Sequence, residues 1–425
     1  MPRKKFVFFL KKFDKFLQMR YNKIMKKTIV IIGGGASGLI LANALPATER
    51  IILIERGERL GRKLSATGNG QGNISNLSAG KEEYFSVDPT GAFRAKECIR
   101  AHNVDELCGY FLSLGVLLSA DERNRLYPTG KQASALTDAL RFSIEKKGIE
   151  TRLQTKAVGL EQTSNGLCVH VETENGRERI FADFVAVCAG GKCAKNFGTD
   201  GGAYALLQSL GHTVTKLYPS LVQLKTDTLY TKTWKGIRVA DGVLTAKWQG
   251  NTRSEQGDIL FTEYGISGDA TFRISAFIAD HVADGVELSV DFLPSFSEKQ
   301  LLDILTEKRK NFPDLPQTEL LFGIVNNQIG RAVMKRADGD ISRAVGLIKA
   351  FPLTATGTLG YDYAQVTKGG IPLSETDANL QSRLIENVYL AGEILDVDGQ
   401  CGGFNLQWAY SSAKTVALAI AEKCK

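Results

Sequence analysis

An α/β protein is what this 425-residue sequence predicts: a parallel sheet interrupted by a β-rich insert and a small helical piece. Three observations point there. A strand, a glycine turn, a helix and a second strand follow one another near the N-terminus. The middle of the chain loses that rhythm and reads as strands and turns. A buried strand, a glycine-rich turn and an apolar helix close the C-terminus.

The first unit is the most specific. A buried strand over Thr28–Ile32 runs into Gly33-x-Gly35-x-x-Gly38, and an apolar helix follows to about Leu45. A second strand, Ile51–Ile54, ends on Glu55, 22 residues after Gly33. Gly33 permits the tight turn, Gly35 lets backbone approach a pyrophosphate, and Gly38 lets helix and strand pack closely. The first helical N–H groups, at Ala36 and Ser37, point partial positive charge at phosphates. Glu55 is placed to accept hydrogen bonds from ribose hydroxyls, with Arg56 beside it. Together these make a Rossmann-like dinucleotide site. A ligand-free glycine turn does not explain an acid at the tip of the second strand.

The loop Leu60–Asn76 comes next. It holds four glycines and three asparagines, so it is rich in turn conformations and backbone donors. Arg62, Lys63, Gly68, Asn69 and Asn73 are its candidate cofactor contacts. Helical periodicity follows over Ala92–Leu114 and Ala133–Lys147. Short strands are expected at Thr151–Leu160, Leu167–Thr173 and Arg179–Phe181. The run from Phe184 to Gly191 is a buried strand ending on glycines. It resembles the third cofactor-facing strand of two-dinucleotide-binding-type flavoproteins, where Ala189 and Gly190 would meet the adenosine half. Gly198–Gly202 opens a helix running toward His212.

From Thr213 to about Leu293 the strands suggest an inserted antiparallel domain. Ser297–Asn311, with Ser297 as N-cap, and Gln317–Asp338 look helical, and Pro313 and Pro316 separate them. Strand character returns at Leu353–Gln365. The expected organisation is an FAD-binding domain at 25–212 and 366–425, a β-rich domain at 213–295 and 346–365, and a helical subdomain at 296–345.

The C-terminal segment supports the FAD assignment. A buried strand from Asn387 ends in Gly392-Glu393, and the acid is placed for the ribityl chain or pyrophosphate of FAD. The turn from Asp398 through Gly402, Gly403, Phe404 and Asn405 opens an apolar helix, Leu406–Lys423. Its N-terminus can face the flavin N1/O2 edge, where the helix dipole stabilises negative charge. The ring is therefore expected between the Gly68–Asn76 loop and Gly402–Asn405. Asn69, Asn73 and Asn405 are the polar side chains expected nearest to it.

Composition sets limits. The chain is 43% hydrophobic and 23% charged, ordinary for a soluble globular protein. Seven irregularly spaced cysteines suggest reduced thiols in a cytoplasm, and no apolar run has membrane-spanning character. The net charge of +7 lies entirely in residues 1–25, with eight Lys/Arg and one acid. The other 400 residues balance at 45 bases and 45 acids, so no nucleic-acid partner is expected. Residues 1–24 read as an upstream extension ahead of a start at Met25, with an amphipathic membrane-surface helix as the alternative. The four histidines lack metal-ligand spacing. Cys188 and Cys193 have the spacing of a redox pair, but Cys188 falls in a buried strand. No second complete G-x-G-x-x-G appears, so a nicotinamide donor would bind transiently over the flavin.

Six segments carry a closer resemblance: IIGGGASGL, GRKLSATGNGQGNISN, CAGG…GTDGG, FTEYGISG, VTKGGIPLSE and AGEILDVDGQCGGFNLQWAYSSA. With them the chain resembles the BaiN-like (YhiN-type) flavoproteins, NAD(P)/FAD-dependent oxidoreductases, from about residue 26 to 415. The family usually has Arg-Cys at Gln71-Gly72 and Pro at Asp269. The resemblance implies a Rossmann-like FAD-binding domain interrupted by a β-rich domain and a small helical one. The expected function is an FAD-dependent oxidoreductase, with hydride passing through flavin N5 to a small conjugated or imino substrate and NAD(P)H as possible donor. A flavin-dependent RNA-modifying enzyme and a flavin-binding electron-transfer or structural protein are the alternatives. The sequence assigns neither a catalytic acid nor an oligomeric state.

Overall fold

The computed structural model describes residues 26–81, 84–164 and 166–425. Five parallel strands form the central sheet, in the order Val388–Leu390, Phe184–Val187, Thr28–Ile32, Arg50–Ile54, Glu150–Arg152. The three middle strands are nearly continuous runs of Ile, Val and Leu, because both faces of this sheet are covered. The helix Ala36–Ala44 and the last helix, Phe404–Lys423, pack on each other. The C-terminal segment thus supplies both a strand of this sheet and a helix of its core, as the two-ended fingerprint predicts. The last helix also fixes the end of its own strand. The Trp408 indole N–H donates to the Gly392 carbonyl at 3.1 Å, and the Gly392 N–H donates to Ser412 Oγ at 2.9 Å.

The middle of the chain closes into a six-stranded antiparallel barrel of Leu224–Thr226, Gly265–Ser267, Asn251–Phe261, Arg238–Trp248, Val286–Asp291 and Phe351–Thr358. Trp234, Phe261, Phe292 and Phe351 fill it, with ring centroids 5.0 to 6.4 Å apart. The helices Glu298–Asn311, Asn327–Arg336 and Ile341–Lys349 share this apolar core. Ser297 caps the first of them in a reciprocal box with Gln300, as expected.

Several elements differ from the sequence reading. The periodicity of Ala92–Leu114 belongs to two helices, Gly91–Ala101 and Val104–Ser113, because the Asn103 side chain accepts the Glu106 N–H and starts a new helix. Within Gln317–Asp338 only Asn327–Arg336 is α-helical, started by Asn326, which accepts the Gln328 N–H. Ile341–Lys349, started by Asp340, is a further helix, so strand structure resumes at Phe351 and stops at Thr358. The helix Asp269–Ile278 lies inside the strand-rich insert. Cys188 and Cys193 are free thiols, both pushed up to about 12 by burial, and Cys193 donates to the Val366 carbonyl. The expectations for residues 1–24 lie outside the described residues. Among the described residues no helix is long and apolar enough to cross a membrane.

Candidate functional site

A cleft of about 1090 Å³ lies at the carboxyl ends of the central strands, walled by Ile32, Ile54 and Val187. This is where open parallel sheets bind ligands. Its volume lies just above the roughly 300–1,000 Å³ of small-molecule sites. Gly33, Gly35, Ala36, Ser37, Glu55, Arg56, Arg62, Lys63, Gly68, Asn69, Asn73, Ala189, Gly190, Glu393, Gly402, Gly403 and Asn405 all line it. Gly38, Gly392 and Phe404 do not. A Cβ on Gly38 would stand 1.9 Å from the Gly33 carbonyl oxygen, and one on Gly392 would stand 2.6 Å from Ser37 Oγ, so both are packing glycines. The Phe404 side chain is buried with its ring edge-on to Tyr84 at 6.1 Å, so it packs in the core while its backbone begins the last helix.

The glycine turn separates structural from ligand-directed demands. Gly33 has φ +108°, and a Cβ there would lie 2.5 Å from the Cys188 carbonyl oxygen. Gly35 has an ordinary φ of −79°, and a Cβ would meet nothing within 4 Å. Neither backbone nor packing requires glycine at 35, so the space it leaves opens on the cleft. The helix that starts there has no side-chain cap and no acid in its first turn, which leaves its first N–H groups unsatisfied.

Glu55 is more occupied than its position at a strand tip suggests. One carboxylate oxygen accepts the Gly34 N–H at 2.8 Å and the other accepts the Gly57 N–H at 2.7 Å. Each oxygen keeps a further lone pair. The cations expected around phosphates also have partners: Arg56 with Asp200 at 2.7 Å, Lys63 with Glu393 at 2.8 Å, and Arg62 with the Asn196 carbonyl at 2.8 Å. Burial works against the Asp200 charge, yet Arg56 and the Gly202 N–H hold its carboxyl below the usual range. Glu393 also accepts the Thr367 N–H at 2.9 Å. These three cations are therefore already engaged by protein partners.

At the other end of the cleft, the two loops expected around the ring touch each other. Asn76 donates to the Gly402 carbonyl at 3.2 Å. Gly403, with φ +101°, lies so close that a Cβ would stand 2.2 Å from the Ser75 carbonyl oxygen. Gly403 begins the last helix with no side-chain cap and no acid in its first turn. Asn405 uses its amide to close its own turn, accepting from Gly399 N and donating to Gly399 O, both at 2.9 Å. Asn73 donates to the Ser75 and Leu126 carbonyls. Only Asn69, at an exposed turn, keeps its amide free of protein partners among the described residues.

No motif in the sequence assigns the side chains of the far wall to the site. The hairpin residues Arg123, Arg125 and Tyr127 enter because their strand pairs with Ser75–Asn76. The barrel strands contribute Arg238, Asp258 and Leu260, and the helix Asp269–Ile278 contributes Asp269 and Phe272. Arg125 pairs with Asp121 at 2.8 Å, Arg238 with Asp258 at 2.5 Å, and Arg123 with Asp269. Burial, reinforced by Asp269, pushes the Cys401 thiol up to about 11. Behind the turn, Asp398 is fully buried, and burial raises its carboxyl to about 8.

The family model for the HI0933-like protein Rossmann domain matches residues 27–419. The chain belongs to the HI0933-like family. The BaiN-like resemblance read from the motifs agrees with a second finding: the chain is 31% identical to a 3-dehydro-bile acid delta(4,6)-reductase of Clostridium scindens, over 93% of this chain and 99% of that one. It is 27% identical to a ribosomal RNA dihydrouridine synthase of Haemophilus influenzae, over 93% of this chain and 98% of that one. Among solved structures, a 3-ketosteroid-delta4-(5alpha)-dehydrogenase from Rhodococcus jostii RHA1 shares the fold at TM-score 0.50 and 14% identity, covering 92% of this chain and 97% of that one. This HI0933-like chain is an oxidoreductase with a flavoprotein fold.

Proposed function

We propose that this HI0933-like chain is an FAD-dependent reductase of small molecules, acting on a carbon–carbon double bond conjugated to a carbonyl and drawing electrons from NADH or NADPH. One observation carries the reading. Two helix N-termini, at Ala36 and Phe404, both lacking side-chain caps, open on one glycine-walled cleft. The open space beside Gly35 fits a pyrophosphate, since nothing in the protein uses it. When bound, the flavin supplies hydride at N5.

The chain's own residues do the rest. The N–H groups of Ala36 and Ser37 bind phosphate oxygens with the aid of the helix dipole. The remaining lone pairs of Glu55 accept the adenosine ribose hydroxyls. The head of the last helix, held on Ser75 by Gly403, meets the polar edge of the ring. Leu260 of the barrel and Phe272 of the helix Asp269–Ile278 cover the substrate and exclude water.

The relatives support the substrate class. A 3-dehydro-Δ4,6 compound and a uridine each carry a double bond conjugated to a carbonyl, and both names describe its reduction. The 27% relative favours a second reading, in which the double bond belongs to a uridine in RNA. The charge balance of the chain beyond residue 25 favours the small molecule. Anaerobic assays of the purified protein with each nicotinamide separate the two. Conversion of 4-androstene-3,17-dione or cyclohex-2-enone to the dihydro product supports the first. Dihydrouridine formed in ribosomal RNA, with no enone reduced, assigns the second.

A further inference from the structure

We propose that Tyr127 is the proton donor of the reaction, an inference that rests on the reading just given. Reducing a conjugated double bond places a hydride on the carbon β to the carbonyl and a proton on the α carbon. The donor must face the cleft and hold a proton at neutral pH. The carboxylates of the cleft are poor candidates. Glu55 accepts two backbone N–H groups, Asp200, Asp258, Asp269 and Glu393 are paired with Arg56, Arg238, Arg123 and Lys63, and Asp362 is exposed to solvent, as is the second phenol of the cleft, Tyr363. A carboxylate used this way is an acceptor only.

Tyr127 differs on each count. It lines the cleft, is only 5% exposed, and its hydroxyl has no hydrogen-bond partner among the described residues. Its strand, Arg125–Pro128, pairs with Ser75–Asn76, and Leu126 sits opposite Ser75. Ser75 is the residue on which Gly403 and the head of the last helix rest. Arg125, on the same strand face, lies 3.5 Å from where a Gly402 Cβ would be. The phenol is therefore held beside the turn that meets the ring.

Two cations flank this phenol. Lys131 Nζ lies 3.9 Å from the Tyr127 ring centroid and the Arg125 guanidinium carbon 5.9 Å from it. These cations stabilise the anion left after proton transfer. Burial raises both this phenol and the nearby Cys401 thiol, so both are protonated at neutral pH; Asp269 opposes and Arg125 favours the anion of either, and the Cys401→Ser variant separates them. The step balances. A hydride from the bound reduced flavin, recharged by the nicotinamide, forms the β C–H bond with two electrons. The C=C π electrons shift into an enolate. The enolate takes the Tyr127 proton at the α carbon, and the phenolate regains a proton from water in the cleft.

The test is Tyr127→Phe holoenzyme, studied in half-reactions beside wild type with matched flavin content. Flavin reduction by NADH or NADPH and reoxidation by ferricyanide should not change, while reoxidation by 4-androstene-3,17-dione or cyclohex-2-enone should slow on the order of 100-fold or more. In apoprotein, ultraviolet titration of wild type minus variant should reveal one phenol that ionises reversibly before unfolding, because its proton exchanges through the cleft. Equal enone rates in the two proteins overturn the proposal, as does a phenol silent until unfolding. The same loss in Cys401→Ser with none in Tyr127→Phe assigns the proton to the thiol and also overturns it. Failure of wild type to reduce any conjugated acceptor removes the proposed function instead, and this inference falls with it.

Discussion

Gly35→Ala isolates the role of the cleft from the stability of the fold. The backbone at 35 is extended, with φ −79° and ψ −164°, and the new methyl group meets no protein atom within 4 Å. Alanine restricts the unfolded chain, which favours folding by about 0.4–1 kcal/mol. It is also a poorer N-cap than glycine by a comparable amount, and the two effects nearly cancel. The melting temperature of the apoprotein should therefore stay close to wild type. Bound FAD feels the change directly, because the methyl group occupies the space proposed for the pyrophosphate. Displacing a phosphate oxygen from one helix N–H removes a charge-assisted hydrogen bond of about 1.5–3 kcal/mol, a loss of affinity on the order of 10- to 100-fold. Fluorescence titration of apoprotein with FAD measures this. Gly38→Ala is the contrast: its Cβ would stand 1.9 Å from the Gly33 carbonyl oxygen, so it should destabilise the apoprotein itself. Unchanged FAD affinity in Gly35→Ala would refute the placement of the pyrophosphate.

Three other variants probe separate links. Glu55→Ala should weaken FAD binding by about 1.5–3 kcal/mol. Because the Gly34 and Gly57 N–H groups lose their acceptor, it should also lower apoprotein stability by roughly 1–2 kcal/mol in urea unfolding. Loss of stability with full FAD affinity would make Glu55 a purely structural residue. Asp398→Asn tests the buried acid, whose carboxyl is raised from the ordinary 3.8 to about 8 by burial. Between those values the native protein keeps a proton that the unfolded chain releases, so stability is fullest below the lower value and declines as pH rises through the higher one. Asparagine mimics the protonated acid, so its advantage over wild type in urea unfolding should grow from near pH 5 to near pH 7.5, by at most about 1.4 kcal/mol per unit. An advantage equal at both pH values would mean that Asp398 is not held protonated. Ser297→Ala should lower thermal stability by about 1 kcal/mol through loss of the capping box, without touching FAD affinity; an unchanged melting curve would show that the barrel helices tolerate an open end.

The parts of the site readable from sequence are those that local chemistry dictates. A strand, a tight glycine turn and a helix are consecutive, so their spacing survives in one dimension, and Glu55 follows from the length of that unit. The C-terminal turn Gly402-Gly403 was readable for the same reason, although its rigid contact with Ser75 was not. What stayed hidden comes from distant pairing. Arg123, Arg125 and Tyr127 carry no motif and reach the cleft only because Leu126 pairs with Ser75. Asp269 arrives with the barrel, at the head of a helix whose sequence, DATFRISAFI, reads equally well as strand. The fate of polar side chains was also out of reach. Asn405 and Asn73 look like ligand contacts in sequence, yet their amides hold the turns that shape the cleft.

The most direct measurement is the identity and amount of flavin in the purified protein, released by denaturation and separated by chromatography, with the apoprotein then reconstituted. The account predicts non-covalent FAD at one per chain. A colourless protein that takes up no FAD on reconstitution, or one that holds FMN and leaves Glu55 without an adenosine ribose, would contradict it.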